Sequence, residues 1–200
     1  MVSGVSTPQF VLASASSARR QLLLNAGVQP FVSPSKFDED QITLSDPEAL
    51  VKALSLGKAE AVAPLFSNAV VLGCDSVLAF DGVIYGKPDT PDDAIKRWWK
   101  MRGKVGELFT GHTLVAPAAK KTITRAQVTR VHFAWVSDRE IEDYVATGEP
   151  MNCAGAFTID GKGGFFVEKL EGCHTNVIGL SMPMLRDMLG ELGYRVTDFW

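Results

Sequence analysis

Residues 69–85 read AVVLGCDSVLAFDGVIY, and they begin with the most apolar stretch of the chain. Residues 69–72 and 76–80 form an almost continuous apolar run, which is typical of a buried strand. Asp81-Gly82 is a strong hairpin signal, after which residues 83–85 return along the strand. Asp75 interrupts the run, where a buried carboxylate is costly unless it is paired, hydrogen-bonded or metal-bound. The alternative is that Asp75 lies at a bulge and is solvated.

The sequence on both sides of this hairpin predicts further strands and helices. Alternating or apolar runs predict strands at residues 10–13, 28–33, 109–116, 123–136 and 165–170. Caps and apolar periodicity predict helices at residues 18–26, 46–63, 90–101, 137–146 and 182–192. The fold class expected is α/β, as a single elongated domain over residues 1–200 with a mixed central sheet.

Composition excludes several classes of protein. A chain of 200 residues with 46% hydrophobic residues is globular, and its net charge of -3 does not favour a nucleic-acid polymer as partner. Residues 1–10 lack the pattern of a secretory signal, and the most apolar stretch is too short to span a membrane. Three scattered cysteines and three separated histidines favour a reducing, cytoplasmic location and argue against a His/Cys metal site. Any metal is expected to be a hard cation held by carboxylates.

The segment LASASSARR at residues 12–20 is a candidate anion site. A strand ends there in several serines, and a helix begins with Arg19 and Arg20 in its first turn. Backbone N–H groups, hydroxyls and a guanidinium together suit a phosphate. Cations in the first turn oppose the helix dipole, so their position there requires a reason, which a bound anion would supply. Simple capping by Ser16 or Ser17, with solvated arginines, is the alternative.

Three further segments carry groups that suit a nucleotide. The acidic loop FDED at residues 37–40 offers a second carboxylate for a metal, or is merely solvated. Lys87, between Gly86 and Pro88, is placed to reach a phosphate, although the segment is not a Walker A loop. The alternative is that the segment is a plain turn. Lys58 likewise either contacts a phosphate or has no part in a site. The glycine-rich residues 154–164 include Asp160, which can accept hydrogen bonds from a base edge, or they form a turn before a strand.

Taken together, these segments resemble the Maf family of nucleotide pyrophosphatases, which is related in fold to the inosine-triphosphate pyrophosphatases. The resemblance covers residues 11–189, nearly the whole chain. Its motifs are LASASSARR followed by DSV at 75–77, GKP at 86–88, GEP at 148–150, AGAF at 154–157 and NVIGL at 176–180.

The resemblance implies a two-lobed domain with a central cleft, often a homodimer, that hydrolyses the α–β phosphoanhydride of a nucleoside triphosphate. It also implies a divalent metal cofactor, Mg²⁺, Mn²⁺ or Co²⁺. Asp75 falls on the proton-accepting aspartate and Glu39 on an acidic residue that joins it at the metal. Phosphate contacts fall on Ser14, Arg19, Lys58 and Lys87.

Departures from the family pattern concern the choice of base. Ser17 replaces the usual proline, Ala18 is neither basic nor aromatic, Cys153 replaces a lysine and Asp160 replaces a glutamine. Cys153 and Asp160 favour an N7-methyl-GTP branch, whereas Ser76 resembles the threonine of a pyrimidine branch. Ala18, Ser76 and Asp160 are therefore the candidate specificity residues, with the base open. Two other functions stay open, a nucleotide-binding regulator of cell division and a phosphatase that releases orthophosphate.

Overall fold

The computed structural model describes residues 8–200. The expected absence of a signal segment concerns mainly Met1–Thr7, which lie outside the described residues. The strands are β1 Gln9–Leu12, β2 Phe31–Val32, β3 Ala69–Phe80, β4 Val83–Tyr85, β5 Val105–Ala116, β6 Lys121–Phe133 and β7 Val167–Glu171. The α-helices are α1 Ser17–Asn25, α2 Pro47–Val62, α3 Pro91–Met101, α4 Asp138–Ala146, α5 His174–Ile178 and α6 Met182–Glu191. Within these residues no helix is long and apolar enough to cross a membrane.

Most predicted elements are confirmed, and the differences have local causes. The two apolar segments around Asp75 form one uninterrupted strand, paired residue by residue with β5 from Val71 to Ala79, so the alternative of a bulge is wrong. The second strand has two residues instead of six, because the Val28 N–H closes the end of α1 on the Leu23 carbonyl. A 3-10 helix at Lys162–Phe166 delays β7, and α5 is an element that the sequence pattern did not predict.

One mixed seven-stranded sheet has the order β2-β1-β3-β5-β6-β7, with β4 also paired to β3. On one edge of β3, β1 pairs in parallel with residues 69–72 and β4 pairs antiparallel with residues 78–80. Among the described residues, no strand lies beside residues 73–77 of that edge, around Asp75. The gap from Leu72 to Leu78 is about 20 Å long at ~3.3 Å per residue.

Helix α2 packs unusually close to one face of the sheet. A Cβ on Gly73 would lie 2.8 Å from the backbone nitrogen of Ala59, and one on Gly111 would overlap the carbonyl of Val51. Gly111 pairs with Asp75 across β3 and β5, so both residues are on the face that α2 covers. The two glycines therefore let the helix backbone reach the level of Asp75.

The core consists of two main clusters, one toward each end of β3. The first lobe is built around Leu12, Leu23, Leu72, Leu114, Leu185 and Leu189. The second lobe is built around Leu78, Trp98, Met101, Phe133, Ile141 and Tyr144, with the Trp98 indole N–H donating to the Ala156 carbonyl at 2.8 Å. Because β3 runs through both clusters, its middle lies between the two lobes.

Candidate functional site

The open edge of β3 receives the loops that follow two different strands. β1 runs toward Asp75 from the first lobe and ends at Leu12, and the Ala13 N–H still donates to the Leu72 carbonyl. β4 runs toward Asp75 from the second lobe and ends at Tyr85. The loop with Ser14 and the turn with Lys87 therefore approach the gap from opposite ends.

Asp75 is paired in the structure with Lys58 of α2. The Lys58 ammonium donates to Asp75 Oδ1 at 2.5 Å and lies 2.9 Å from Glu39 Oε1. Only 12% of the Lys58 side chain and 13% of the Asp75 side chain are exposed, whereas Glu39 is about half exposed. The two acids therefore contact the same group, the ammonium of Lys58.

Glu39 reaches this cluster because its loop is fastened to α2. The Phe37 ring packs on Gly57, where a Cβ would lie 2.5 Å from the ring. Asp38 then accepts from the Asp40 N–H at 3.2 Å and begins the 3-10 helix Glu39–Gln41. The acidic loop is thus more than a solvated segment, since Glu39 is turned toward Lys58 while Asp38 forms the cap.

Arg19 joins the first lobe to the other face of β3. Its Nε donates to the Gly179 carbonyl at 2.8 Å, and Nη2 donates to Ser76 Oγ at 3.0 Å. Nη1 donates to Ser14 Oγ at 3.1 Å and to the Cys74 carbonyl at 3.0 Å. Four of the five guanidinium N–H groups are engaged, which leaves one for a ligand.

The capping interpretation of the LASASSARR segment holds in part, and the anion site stays a prediction. Ser16 caps α1 by accepting from the Arg19 N–H at 3.3 Å, and Arg20 is exposed. Arg19 instead turns inward, where carbonyl and hydroxyl oxygens compensate its charge at the positive end of the helix. Ser14 Oγ accepts from Arg19 and from the Ser16 N–H, so its own hydrogen is available to a phosphate oxygen. Ala18 is half-buried beside them in the same turn.

Sequence reasoning missed His112, which lies fully buried beside the Arg19 cluster. Its Nε2 accepts from the Ser181 N–H at 2.8 Å. Burial, and then the charge of Arg19, lower the pKa of His112 to about 3, so the ring is neutral. On the neighbouring strand, burial raises the pKa of the Cys74 thiol to about 11, so that group is also neutral. A single histidine in a strand has no sequence signal that identifies this position.

The NVIGL motif also has a position without a sequence-derived role. Asn176 is fully buried and donates to the Leu108 carbonyl at 3.3 Å and the Gln127 carbonyl at 3.2 Å. These bonds fasten α5 to β5 and β6. Gly179, which follows α5, accepts from Arg19. The motif therefore holds the anchor for Arg19 and has no direct part in the Asp75 cluster.

Lys87 and Asp160 both lie near enough to Cys153, in the second lobe, for their charges to act on its thiol. The Gly86 carbonyl accepts from the Gly155 N–H at 3.0 Å, which joins the Lys87 turn to the glycine-rich segment. Burial raises the pKa of the Cys153 thiol to about 11, with Asp160 adding to this effect and Lys87 opposing it. Over residues 8–200, no hydrogen bond or ion pair links Lys87 or Asp160 to Lys58 or Asp75. The structure therefore divides the expected site into two groups.

Comparison with known proteins identifies the family of this chain. Residues 9–192 match the protein family described as Maf-like protein. The chain belongs to the Maf family.

Two Maf relatives match nearly end to end, and both are named nucleoside triphosphate pyrophosphatase. The protein of Trichormus variabilis is 59% identical over 97% of this chain and 98% of its own length. The protein of Nostoc punctiforme is 60% identical over 96% of this chain and 98% of its own. Among solved structures, the Staphylococcus aureus Ham1 protein matches with a TM-score of 0.53 over 92% of this chain and 99% of that chain. At 13% identity this last likeness shows the fold alone.

The acids of this Maf chain suit one kind of metal. In the described part of the chain, no three side chains of Asp, Glu, His or Cys are grouped as a complete metal site. Asp75 and Glu39 supply two carboxylates that both contact the Lys58 ammonium. Mg²⁺ is commonly held by one or two carboxylates, with waters and substrate phosphates as its other ligands. The donor set therefore fits a metal that binds together with a nucleotide.

Proposed function

We propose that this Maf-family chain is a nucleoside triphosphate pyrophosphatase that hydrolyses the α–β phosphoanhydride and releases a monophosphate and pyrophosphate. The observation that carries the proposal is the cluster of Asp75, Lys58 and Glu39 at the open edge of β3. A buried carboxylate beside an ammonium, next to a serine and arginine loop, suits attack of water on a polyanion. The names of the relatives at 59% and 60% identity support the same reaction.

In the proposed mechanism, Asp75 accepts the proton of the attacking water. Asp75 and Glu39 would hold a divalent cation, Mg²⁺, Mn²⁺ or Co²⁺, which lowers the pKa of bound water and offsets phosphate charge when present. Lys58 orients the Asp75 carboxylate through its 2.5 Å hydrogen bond and adds positive charge next to the phosphates. The cluster thus combines a base with a cation that offsets the charge of the leaving group.

The phosphate chain is proposed to lie between the two ends of the gap in β3. Ser14 donates its free hydroxyl hydrogen at the end formed by the first lobe, and Arg19 contributes its charge and its remaining N–H. Lys87 approaches from the second lobe and neutralises the far side of the phosphates. These groups bind the polyanion from both sides without contacting the base.

The base is proposed to contact the second lobe. Asp160 is exposed, and its carboxylate can accept from donors on a base edge, such as the N1–H and N2–H₂ of a guanine. Ala18 and Ser76 are the proposed specificity residues on the first-lobe side. The Ser76 hydroxyl is fixed between Arg19 and Thr110, at 3.0 and 2.9 Å, so it offers little freedom to a ligand. A pyrimidine triphosphate and N7-methyl-GTP are the two substrates to compare.

The test is a panel of nucleoside triphosphates, including N7-methyl-GTP, dTTP and UTP, with Mg²⁺, Mn²⁺ or Co²⁺ and identification of the products. We expect metal-dependent release of pyrophosphate from at least one nucleotide. Asp75→Asn should lower kcat by about 10²-fold or more, because the proton acceptor is lost. Asp92→Asn, an exposed position in the first turn of α3, is the matched control. Release of orthophosphate would identify a phosphatase, and calorimetric binding without turnover would identify a regulator.

A single domain over residues 1–200, a homodimer and a cytoplasmic location complete the proposal. All three cysteines are unpaired, which supports a reducing compartment. One cooperative unfolding transition and a dimeric mass by light scattering are the expected results. A monomer at micromolar concentration would contradict the dimer and leave the proposed reaction untouched.

A further inference from the structure

The carboxylate of Glu149 holds the loop that carries Asp160. Glu149 follows the Gly148 turn after α4 and begins a short 3-10 helix at Glu149–Asn152. Its Oε2 accepts from the Lys162 N–H at 3.0 Å, and its Oε1 accepts from the Gly163 N–H at 2.9 Å. Each carboxylate oxygen thus binds one of two consecutive backbone N–H groups, a geometry that fixes both the position and the tilt of the loop.

The contact is tight enough to require the glycine beside it. A Cβ on Gly161 would lie 2.6 Å from Glu149 Oε2, so no side chain fits between the carboxylate and the loop. Within residues 8–200, Glu149 has no ion pair with an arginine or lysine. Burial raises the pKa of Glu149, but hydrogen bonds from the Lys162 and Gly163 N–H groups and from Tyr144 outweigh it and lower the pKa overall. The ionised carboxylate of Glu149 therefore accepts its hydrogen bonds from the loop backbone.

Tyr144 of α4 holds the other end of the same loop. Its Oη accepts from the Thr158 N–H at 3.3 Å, and its ring is buried among Trp98 and Phe166. Asp160, in the middle of the loop, has a hydrogen bond from the Thr158 hydroxyl. The carboxylate of Asp160 is thus held within the loop by the Thr158 hydroxyl, and the side chains of Glu149 and Tyr144 hold the loop backbone from outside.

We propose that Glu149 is a positioning residue for base recognition, which fixes the loop at 158–163 so that Asp160 meets the base edge in one orientation. This inference rests on the proposed function, because it assigns the base to Asp160. Directional hydrogen bonds discriminate between bases when donor and acceptor are held in place. Glu149 lies in the second lobe, away from Asp75, so loss of its hold should affect the choice of base more than the attack on phosphorus.

Glu149→Gln is the decisive variant, since its amide NH₂ would face a backbone N–H that now donates to an oxygen. We expect the ratio of kcat/KM between the preferred and the least preferred accepted nucleotide to fall by about tenfold or more, with most of the change in KM. The Lys162 and Gly163 amides should exchange hydrogen faster than in the wild type. Glu142→Gln, an exposed glutamate of α4, is the matched control and should keep the wild-type ratio.

A second variant keeps the test decisive if Glu149→Gln does not fold. Tyr144→Phe keeps the buried ring and removes the hydroxyl that accepts from Thr158, so the ratio should fall in the same direction by a smaller factor. Faster amide exchange with an unchanged ratio would overturn the inference, because the loop would then be loosened without consequence for the base. That outcome is distinct from a wild type that releases no pyrophosphate, which would overturn the proposed function and this inference together.

Discussion

Lowering the pH from 7 to 5 should destabilise the protein through His112. The ring is fully buried, its Nε2 accepts from the Ser181 N–H, and its pKa is lowered to about 3 by burial and by Arg19. Protonation would remove that acceptor and place a second positive charge beside Arg19. The Gly179–Ser181 segment that anchors Arg19 would then lose the group that holds it to β5.

The size of the effect follows from the two pKa values. In the unfolded chain the histidine titrates near 6.5, so between pH 6.5 and 3 the unfolded state binds more protons than the folded state. Stability contributed by the neutral ring is therefore present above pH 6.5 and is lost as the pH falls toward 3. Between pH 7 and pH 5 the loss in free energy of unfolding is about 2 kcal/mol, at ~1.4 kcal/mol per pH unit.

Urea unfolding followed by tryptophan fluorescence at both pH values measures this loss. His112→Gln offers an amide oxygen to the Ser181 N–H and cannot titrate. Between pH 7 and pH 5, the free energy of unfolding of this variant should therefore fall by about 2 kcal/mol less than that of the wild type. His174→Gln, at an exposed histidine of α5, corrects for general effects of replacing a histidine. Equal losses in the wild type and His112→Gln would contradict this prediction, because the neutral ring of His112 would then contribute nothing to the pH dependence of stability.

Three other outcomes are expected. Lys87→Ala should lower kcat/KM by about tenfold or more in steady-state kinetics, because one cation for the phosphates is lost; an unchanged value would exclude this role. Gly111→Ala should lower the free energy of unfolding in urea by about 2 kcal/mol or more, since the added Cβ overlaps the backbone of α2. The control Gly190→Ala in α6 places its Cβ in open space and should be neutral or slightly stabilising. At pH 7.5, iodoacetamide should modify Cys153 far more slowly than Cys173, and mass spectrometry would measure both rates. The pKa of Cys153 is about 11, whereas burial raises the pKa of Cys173 but hydrogen bonds outweigh this effect and lower it overall.

The elements that the sequence predicts well have strong local signals. The Asp81-Gly82 turn between apolar runs gives β3 and β4, and the Asp46 cap before Pro47 begins α2 where expected. Helix α5 has five residues and depends on Asn176, whose amide bonds to strands distant in the sequence. No pattern within such a short segment carries that information, because the contacts that stabilise it are tertiary.

The site is predictable to a similar extent. A carboxylate in a buried run identifies Asp75 from sequence, since such a group requires a partner. The identity of that partner does not follow from local pattern, because Lys58 reaches Asp75 only where α2 crosses β3 over Gly73 and Gly111. The resemblance to the Maf family supplies Lys58, whereas the contacts of His112 and of Glu149, a residue of the GEP motif, are visible only in the folded structure.

The topology of β3 explains how one strand can serve two lobes. β1 and β4 pair with the same edge of β3 but run in opposite directions, so the loop after each strand opens toward residues 73–77. Ser14 is held by a first-lobe network through Arg19, and the Lys87 turn is held by the glycine-rich segment of the second lobe. Asp75 lies between them on a strand buried in both cores. Because Cys153 and Asp160 lie in the second lobe, we expect substitutions at these two positions to leave the groups around Asp75 in place.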